Sequence, residues 1–399
     1  MQNFQFYLPT KVYFGQKALE NVGKETKILG KKALIVTGKS SARRTGLLQR
    51  VEKSLKRAEV ETFIFEGVEA NPSVGTINKA TKLAKEKKCE VIVGLGGGSS
   101  LDAAKGIAIL SANPGLLVDY FGRNRIKKNP LPVVAIPTTA GAGSEVTPYA
   151  VFTRRENRRI RKKIIADSSL FPKIALADPE LTLSLPASIT ADTGIDAFSH
   201  ALESYLSNRS YPLSDTFASQ AMKLLFNYLP KAMENPKEVN IRSHVLYASL
   251  LAGMAIAQTG TILVHAMSYR LTTDLGLSHG KACALLLPSV CEFNLKEGHP
   301  KLTLLGECLG ENMENMTTKK AAEKVLTTIK DFVHQLALLQ DLNIEKIEER
   351  TIEDFAQEIM QDKRKLASNP RQATLEDVIG MYKKALGEWC PLPAGRGMG

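Results

Sequence analysis

Glu90-Val-Ile-Val-Gly-Leu95-Gly96-Gly97-Gly98-Ser99-Ser100-Leu101-Asp102-Ala-Ala-Lys105 decides how the first half of this chain folds. Its short apolar, β-branched opening reads as a buried strand, and a glycine run then breaks it before a helix starts near Ser100. Glycines let backbone N–H groups approach a ligand closely, and the start of a helix offers its positive end to phosphate. A glycine-rich turn without a ligand is common, and the pattern is neither GxGxxG nor a P-loop. Its placement between a buried strand and a helix makes diphosphate binding the better reading.

The flanking segments repeat the alternation. Residues 31–38 read as a strand ending at Gly38, 61–65 as a second, and 131–136 as another after the one at 90–95, with helices at 47–56 and 76–88 between them. Such spacing implies parallel βαβ units with ligands at the C-terminal ends of the strands. The strand at 131–136 runs into Pro137-Thr138-Thr139-Ala-Gly141-Ala-Gly143-Ser144-Glu-Val-Thr147, a second loop of small and hydroxyl residues. Two such loops on one sheet edge can grip a dinucleotide from both sides. From Arg154 to Lys163 seven residues in ten are basic. That is the pattern of a solvated hairpin or loop, and in the less favoured reading one of its lysines reaches the cofactor.

After Pro186 the strand signals fade. Segments 187–206, 214–229, 241–258, 262–272, 281–293, 321–338 and 375–386 have helical periodicity, and the tail from Cys390 reads as loose. The expected architecture is therefore an α/β, Rossmann-like parallel-sheet domain over 1–185 and an all-helical domain over 186–399, with the active site in the cleft between them.

In the first of these helices Ile195, Phe198, Leu202 and Tyr205 mark a face for burial, whereas Asp196, His200 and Glu203 share another stripe. A lone Asp-x3-His pair is more often a surface or capping pair than a metal site, so partners are needed. The chain has six histidines. His265 lies in an apolar helix where an unpartnered imidazole is costly to bury, and His279 lies where a glycine-broken loop meets a helix. With Asp196 and His200 they make an Asp/His/His/His set suited to a divalent ion. His244, His299 and His334 read as structural.

Composition bounds the function. A formal charge of +12 favours phosphorylated ligands, but the basic residues are dispersed and aromatics make up 6%, which argues against nucleic acid. Five cysteines without a CxxC pair suit a reducing cytoplasm. The start lacks a signal pattern, and no run approaches about 18 apolar residues, so a cytoplasmic protein without membrane association is expected.

Taken jointly, these motifs resemble the iron-containing (group III) alcohol dehydrogenases over nearly the whole chain. The opening Leu-Pro-Thr-Lys-Val-Tyr-Phe-Gly at 8–15, the loops at 96–105 and 137–147, the segment 193–203, the stretch from His265 to Pro288 and Asn369-Pro370-Arg371 all fit the family. The resemblance implies that Asp196, His200, His265 and His279 bind Fe2+, with Zn2+ as the alternative. It implies a cofactor held by Gly38, Lys39, Ser40, Asn71, Gly97, Gly98, Ser99, Asp102, Thr138, Thr139, Ser144, Thr147 and Lys162. Reversible hydride transfer between a primary alcohol or aldehyde and NADP(H), or NAD(H), follows, in a homodimer. Glu203 then belongs to the surroundings of the ligands or to the surface.

Two departures from the family stand out. Many members carry a further histidine four residues after the one matched by His265; here it is Tyr269, which faces the catalytic pocket and is read as a packing residue in preference to a proton relay. NAD-preferring members often have an acidic residue after the first strand, and this chain has Gly38, followed by Lys39 and Ser40. Loss of that carboxylate removes repulsion toward a 2′-phosphate and favours NADP(H). The rivals are a dehydroquinate-synthase-like or glycerol-dehydrogenase-like enzyme of the same plan using NAD and Zn2+, and a non-catalytic nucleotide- or nucleic-acid-binding protein.

Overall fold

The computed structural model describes residues 3–156, 159–296, 298–340, 342 and 347–389 of the chain. The tail expected to be loose, from Cys390, lies outside them. Nine strands occur among the described residues: β1 (Lys11–Phe14), β2 (Lys32–Gly38), β3 (Glu61–Val68), β4 (Val91–Gly96), β5 (Gly122–Arg123), β6 (Val133–Pro137), β7 (Tyr149–Glu156), β8 (Arg159–Ala166) and β9 (Ile174–Ala177). Six of them form one parallel sheet in the order β1-β9-β6-β4-β2-β3.

Side-chain alternation covers this sheet on both faces. In β2, Ala33 and Ile35 pack with Leu48, Val51 and Leu55 of the Leu47–Arg57 helix, whereas Leu34 and Val36 pack with Ile77, Ala104 and Ile107 of the Val74–Glu86 and Gly98–Ala112 helices. Each fully buried Val, Leu or Ile contributes about 1.5–3 kcal/mol, which is why a run read as continuously apolar settles at the centre of a two-faced sheet. The chain leaves β2 toward β3 and returns to β4 on the other side of β2. That reversal opens a crevice at the C-terminal ends of β2 and β4, the place where ligands bind in open α/β sheets.

The remainder is helical. The Ala187–Leu206 helix packs against the Pro212–Glu234, Val239–Thr259 and His279–Leu295 helices around a second large core. One expectation needs correction. The Val239–Thr259 helix has 21 residues and a window of mean hydropathy 1.2, long and apolar enough to cross a membrane, although most of that window is buried inside the protein. Its alanines, serines and glycine interrupt a count of large apolar residues without making the segment polar. The basic stretch forms the β7–β8 antiparallel hairpin, joined by β5 alongside β8.

Candidate metal centre and cofactor cleft

A cleft of about 540 Å3 opens between the sheet's C-terminal edge and the helices, lined by residues of both. Its helical wall is built on Ala187–Leu206, buried continuously from Gly194 to Leu206. Ile195, Phe198, Leu202 and Tyr205 fix that helix in the core, so Asp196, His200 and Glu203 are held rigidly on its other stripe. His265 stands in the first turn of the Leu263–Asp274 helix, and His279 is the first residue of the His279–Leu295 helix.

All three imidazoles turn Nε2 toward one carboxylate oxygen. Asp196 Oδ1 lies 3.8 Å from His200, 3.2 Å from His265 and 3.6 Å from His279. The His200 and His265 rings stack with centroids 4.3 Å apart, and His279 stands edge-on to His265. Donors on a sphere of radius about 2.0–2.2 Å are separated by roughly 3–4 Å, so this spacing fits one divalent ion.

Electrostatics agree with a cation site. Burial would raise the Asp196 carboxyl, yet the His200, His279 and His265 imidazoles hold it well below the usual carboxylate range. Desolvation lowers His200 to about 4 and pushes His279 well below its ordinary value, keeping both neutral with lone pairs free. Desolvation acts on His265 in the same direction, but the adjacent Glu203 and Asp196 carboxylates outweigh it and raise His265 to about 8. A cation at Nε2 would replace that proton.

Glu203 is deeply buried and is therefore no surface residue. Its Oε1 accepts hydrogen bonds from the Ile262 and His265 backbone N–H groups at 3.1 and 3.3 Å, and its Oε2 accepts from His265 Nδ1. One carboxylate thus caps a helix and sets the tautomer that aims Nε2 at Asp196. Asp192 fixes the chain on either side of His279 without touching its ring: its Oδ1 accepts from the Lys281 backbone N–H at 2.9 Å and from the Ser278 hydroxyl. Gly280 is required there, because a Cβ would stand 1.8 Å from the Asp192 carbonyl oxygen. Cys283, unread in the sequence, also lies with Asp196, His265 and His279 within 4.8 Å. Burial, with Asp196 and Glu203 nearby, pushes its thiol well above the ordinary value.

Of the residues assigned to the cofactor, Asn71, Gly98, Ser99, Asp102, Thr139, Ser144, Thr147 and Lys162 line the cleft. Gly97 and Thr138 sit just behind it: Gly97 is the N-cap of the Gly98–Ala112 helix, and the Thr138 N–H donates to the Gly96 carbonyl at 3.0 Å. Gly38, Lys39 and Ser40 lie at the end of β2, outside the cleft lining but on the same sheet edge. Asp102 is occupied within the protein, accepting from Ser144 Oγ at 2.5 Å and from the Val151 N–H at 2.9 Å.

Lys105, overlooked in the sequence, explains that network. It is fully buried, and its Nζ donates to Ser144 Oγ at 2.9 Å and to the Thr147 and Tyr149 carbonyls at 2.9 and 2.6 Å. Desolvation lowers it to about 8. It ties the helix behind the first loop to the second loop, and the only sequence signal was a lysine in an otherwise apolar helix. Gly143, at φ +61, lets the second loop touch Gly253, where a Cβ on Gly143 would meet the Gly253 Cα at 2.6 Å. Tyr269 lines the cleft beside His279, with ring centroids 6.0 Å apart. Asn369, by contrast, is a clamp: it exchanges hydrogen bonds with Asn294 at 2.7 and 3.1 Å.

A family profile described as iron-containing alcohol dehydrogenase matches residues 9–179, and one described as the C-terminal part of the Fe-containing alcohol dehydrogenase family matches residues 190–386. The chain is 37% identical over 382 residues to the NAD-dependent methanol dehydrogenase of Bacillus methanolicus, covering 96% of this chain and 99% of that protein. It is 35% identical over 385 residues to the 1,3-propanediol dehydrogenase of Klebsiella pneumoniae, with 96% and 98% covered. The solved alcohol dehydrogenase from Oenococcus oeni matches with a TM-score of 0.91 at 31% identity, with 96% and 100% covered. On this fold, this cleft and these matches, the chain is an oxidoreductase belonging to the iron-containing alcohol dehydrogenase family.

Proposed function

We propose that the protein catalyses reversible hydride transfer between a primary alcohol or aldehyde and NADP(H), with Fe2+ held by Asp196, His200, His265 and His279. The observation that carries this reading is the convergence of one carboxylate oxygen and three Nε2 atoms on the wall of the interdomain cleft. When bound, the divalent ion supplies Lewis acidity that lowers the proton affinity of an alcohol and polarises an aldehyde carbonyl. Three imidazoles and one carboxylate, four nitrogen and oxygen donors, favour Fe2+, with Zn2+ the alternative.

The protein's own part is positioning. Glu203 holds the His265 ring, Asp192 fixes the backbone on either side of His279 through Ser278 and Lys281, and Thr139 and Ser144 line the cleft that would receive the cofactor. The diphosphate is assigned to the start of the Gly98–Ala112 helix, whose first residues Gly98 and Ser99 line the cleft. The Tyr269 ring lines the substrate end beside His279 and packs there under Lys162 and Lys365.

A named relative is NAD-dependent, so NAD(H) use is the coarser expectation. Preference for NADP(H) is supported by the end of β2, which carries no carboxylate at Gly38 and is followed by Lys39, Ser40 and Ser41; Arg43 beyond them is already paired with Glu66 at 2.6 Å. We further propose a cytoplasmic homodimer without a nucleic-acid partner, which light scattering and fractionation would check. The reaction itself is tested by metal analysis of protein purified without oxygen, together with NADPH and NADH oxidation across short aldehydes. Roughly one iron per chain with faster NADPH turnover is the expected result; a metal-free active enzyme removes the proposal.

A further inference from the structure

The substrate end of the cleft gathers three basic side chains, Lys162, Arg364 and Lys365, against one carboxylate, Asp362. Lys162 on β8 and Lys365 in the Lys363–Ser368 helix both line the cleft, and both stand over the Tyr269 ring, their Nζ atoms 5.4 and 4.4 Å from its centroid. The neighbours of Lys162 on its strand find carboxylates: Arg161 reaches Asp274 and Glu358, and Lys163 reaches Glu156. Lys162 turns inward instead. Lys365 Nζ is buried with no hydrogen-bond partner among the described residues. Arg364 lines the same wall, and the adjacent Asp362 is turned to the helix start, its Oδ1 accepting from the Lys365 backbone N–H at 3.1 Å.

Holding an unpartnered ammonium out of water is costly, and placing a second cation beside it adds repulsion. The aromatic ring steadies both ammonium groups without neutralising them. That cost is recovered when an anion enters. The cofactor diphosphate is assigned to the Gly98 loop, whereas Tyr269 sits beside His279, so the anion belonging at this end is part of the substrate.

We infer that the enzyme acts on a short aldehyde or alcohol bearing an anionic group, a carboxylate, sulfonate or phosphonate, which Lys365 binds with Lys162 and Arg364 while the reacting carbon lies at the Asp196 cluster. This rests on the alcohol–aldehyde reading above and narrows it to a charged substrate class.

The test compares kcat/KM for 4-oxobutanoate, 2-oxoethanesulfonate and 2-oxoethylphosphonate with that for butanal, in the metal-loaded enzyme and in its Lys365→Met and Lys365→Arg variants. The wild type is expected to favour at least one anionic aldehyde over butanal by about tenfold or more, the range of a charge-assisted hydrogen bond. Lys365→Met is expected to lower that ratio roughly tenfold, mainly through KM, and Lys365→Arg to keep most of it. The inference is overturned if butanal is turned over as well as all three anions, or if Lys365→Met leaves the ratio unchanged. It is equally overturned if the variant raises the cofactor KM by the same factor, since Lys365 would then serve the cofactor. Absence of turnover with all four aldehydes would remove the alcohol–aldehyde reading itself.

Discussion

Replacing Glu203 with Gln keeps the side chain's size while removing a charge and one acceptor from beneath the metal cluster. In the wild type this carboxylate receives three N–H donors, two from the Ile262 and His265 backbone and one from His265 Nδ1. Glutamine has a single acceptor oxygen. Turned toward the backbone donors, it presents its NH2 to His265 Nδ1, which then holds a lone pair there, moves the ring proton to Nε2 and takes that atom away from the cation. Turned the other way, it sets NH2 against two N–H groups. The first arrangement loses one charge-assisted hydrogen bond and the second loses two, so the cost is at least about 1.5–3 kcal/mol. Concentrated on the cation, that is roughly a 10- to 100-fold loss of metal affinity, the range for groups that orient a ligating histidine. Competition against a chromophoric chelator under nitrogen measures it, with a thermal melt to confirm folding. A folded Glu203→Gln protein that binds metal within about threefold of wild type would refute the role given to Glu203.

Other outcomes follow from the same geometry. His200→Ala should lose metal and turnover, whereas Cys283→Ala should keep one ion per chain; the reverse pattern would make the thiol a ligand and His200 a bystander. His265 is raised to about 8, so without metal it carries its second proton at pH 7, below that value, and is neutral well above it. Metal binding should therefore release about one proton at pH 7 and almost none above about pH 9, read by calorimetry in buffers of different ionisation enthalpy; no release at pH 7 would contradict this. A Cβ on Gly38 meets nothing closer than the Val68 carbonyl oxygen at 3.7 Å, so Gly38→Asp should fold normally. Its NADP-to-NAD preference should fall roughly tenfold through like-charge repulsion, and an unchanged ratio would mean this turn does not read the 2′ position.

The sequence was most legible where burial is continuous and the chemistry is concentrated. β2, β4 and β6 are runs of aliphatic residues that pack on both faces, and the glycine loop after β4 declares its turn directly. The helix Ala187–Leu206 was readable from end to end because its apolar stripe is regular. β1 and β9, four residues each, were not, since they are too short to show a period. The β7–β8 hairpin was blurred by its charges, of which Arg161 and Lys163 end in ion pairs and Lys162 faces the cleft. Spacing alone put Glu203 on the stripe of Asp196 and His200, but its partner, the start of the Leu263–Asp274 helix, is about 60 residues away and only the fold brings it there. Lys105 and Lys365 were missed for a related reason: a lysine looks solvated until its surroundings are known.

Binding of one divalent ion by Asp196, His200, His265 and His279 underlies every role proposed for this cleft. Anomalous diffraction at the iron edge, on crystals loaded without oxygen, tests it most directly. A single peak is expected about 2.0–2.3 Å from the Asp196 carboxylate and from the Nε2 atoms of all three histidines. A peak bonded to Cys283 Sγ with His200 turned away, or one outside this cluster, would contradict it.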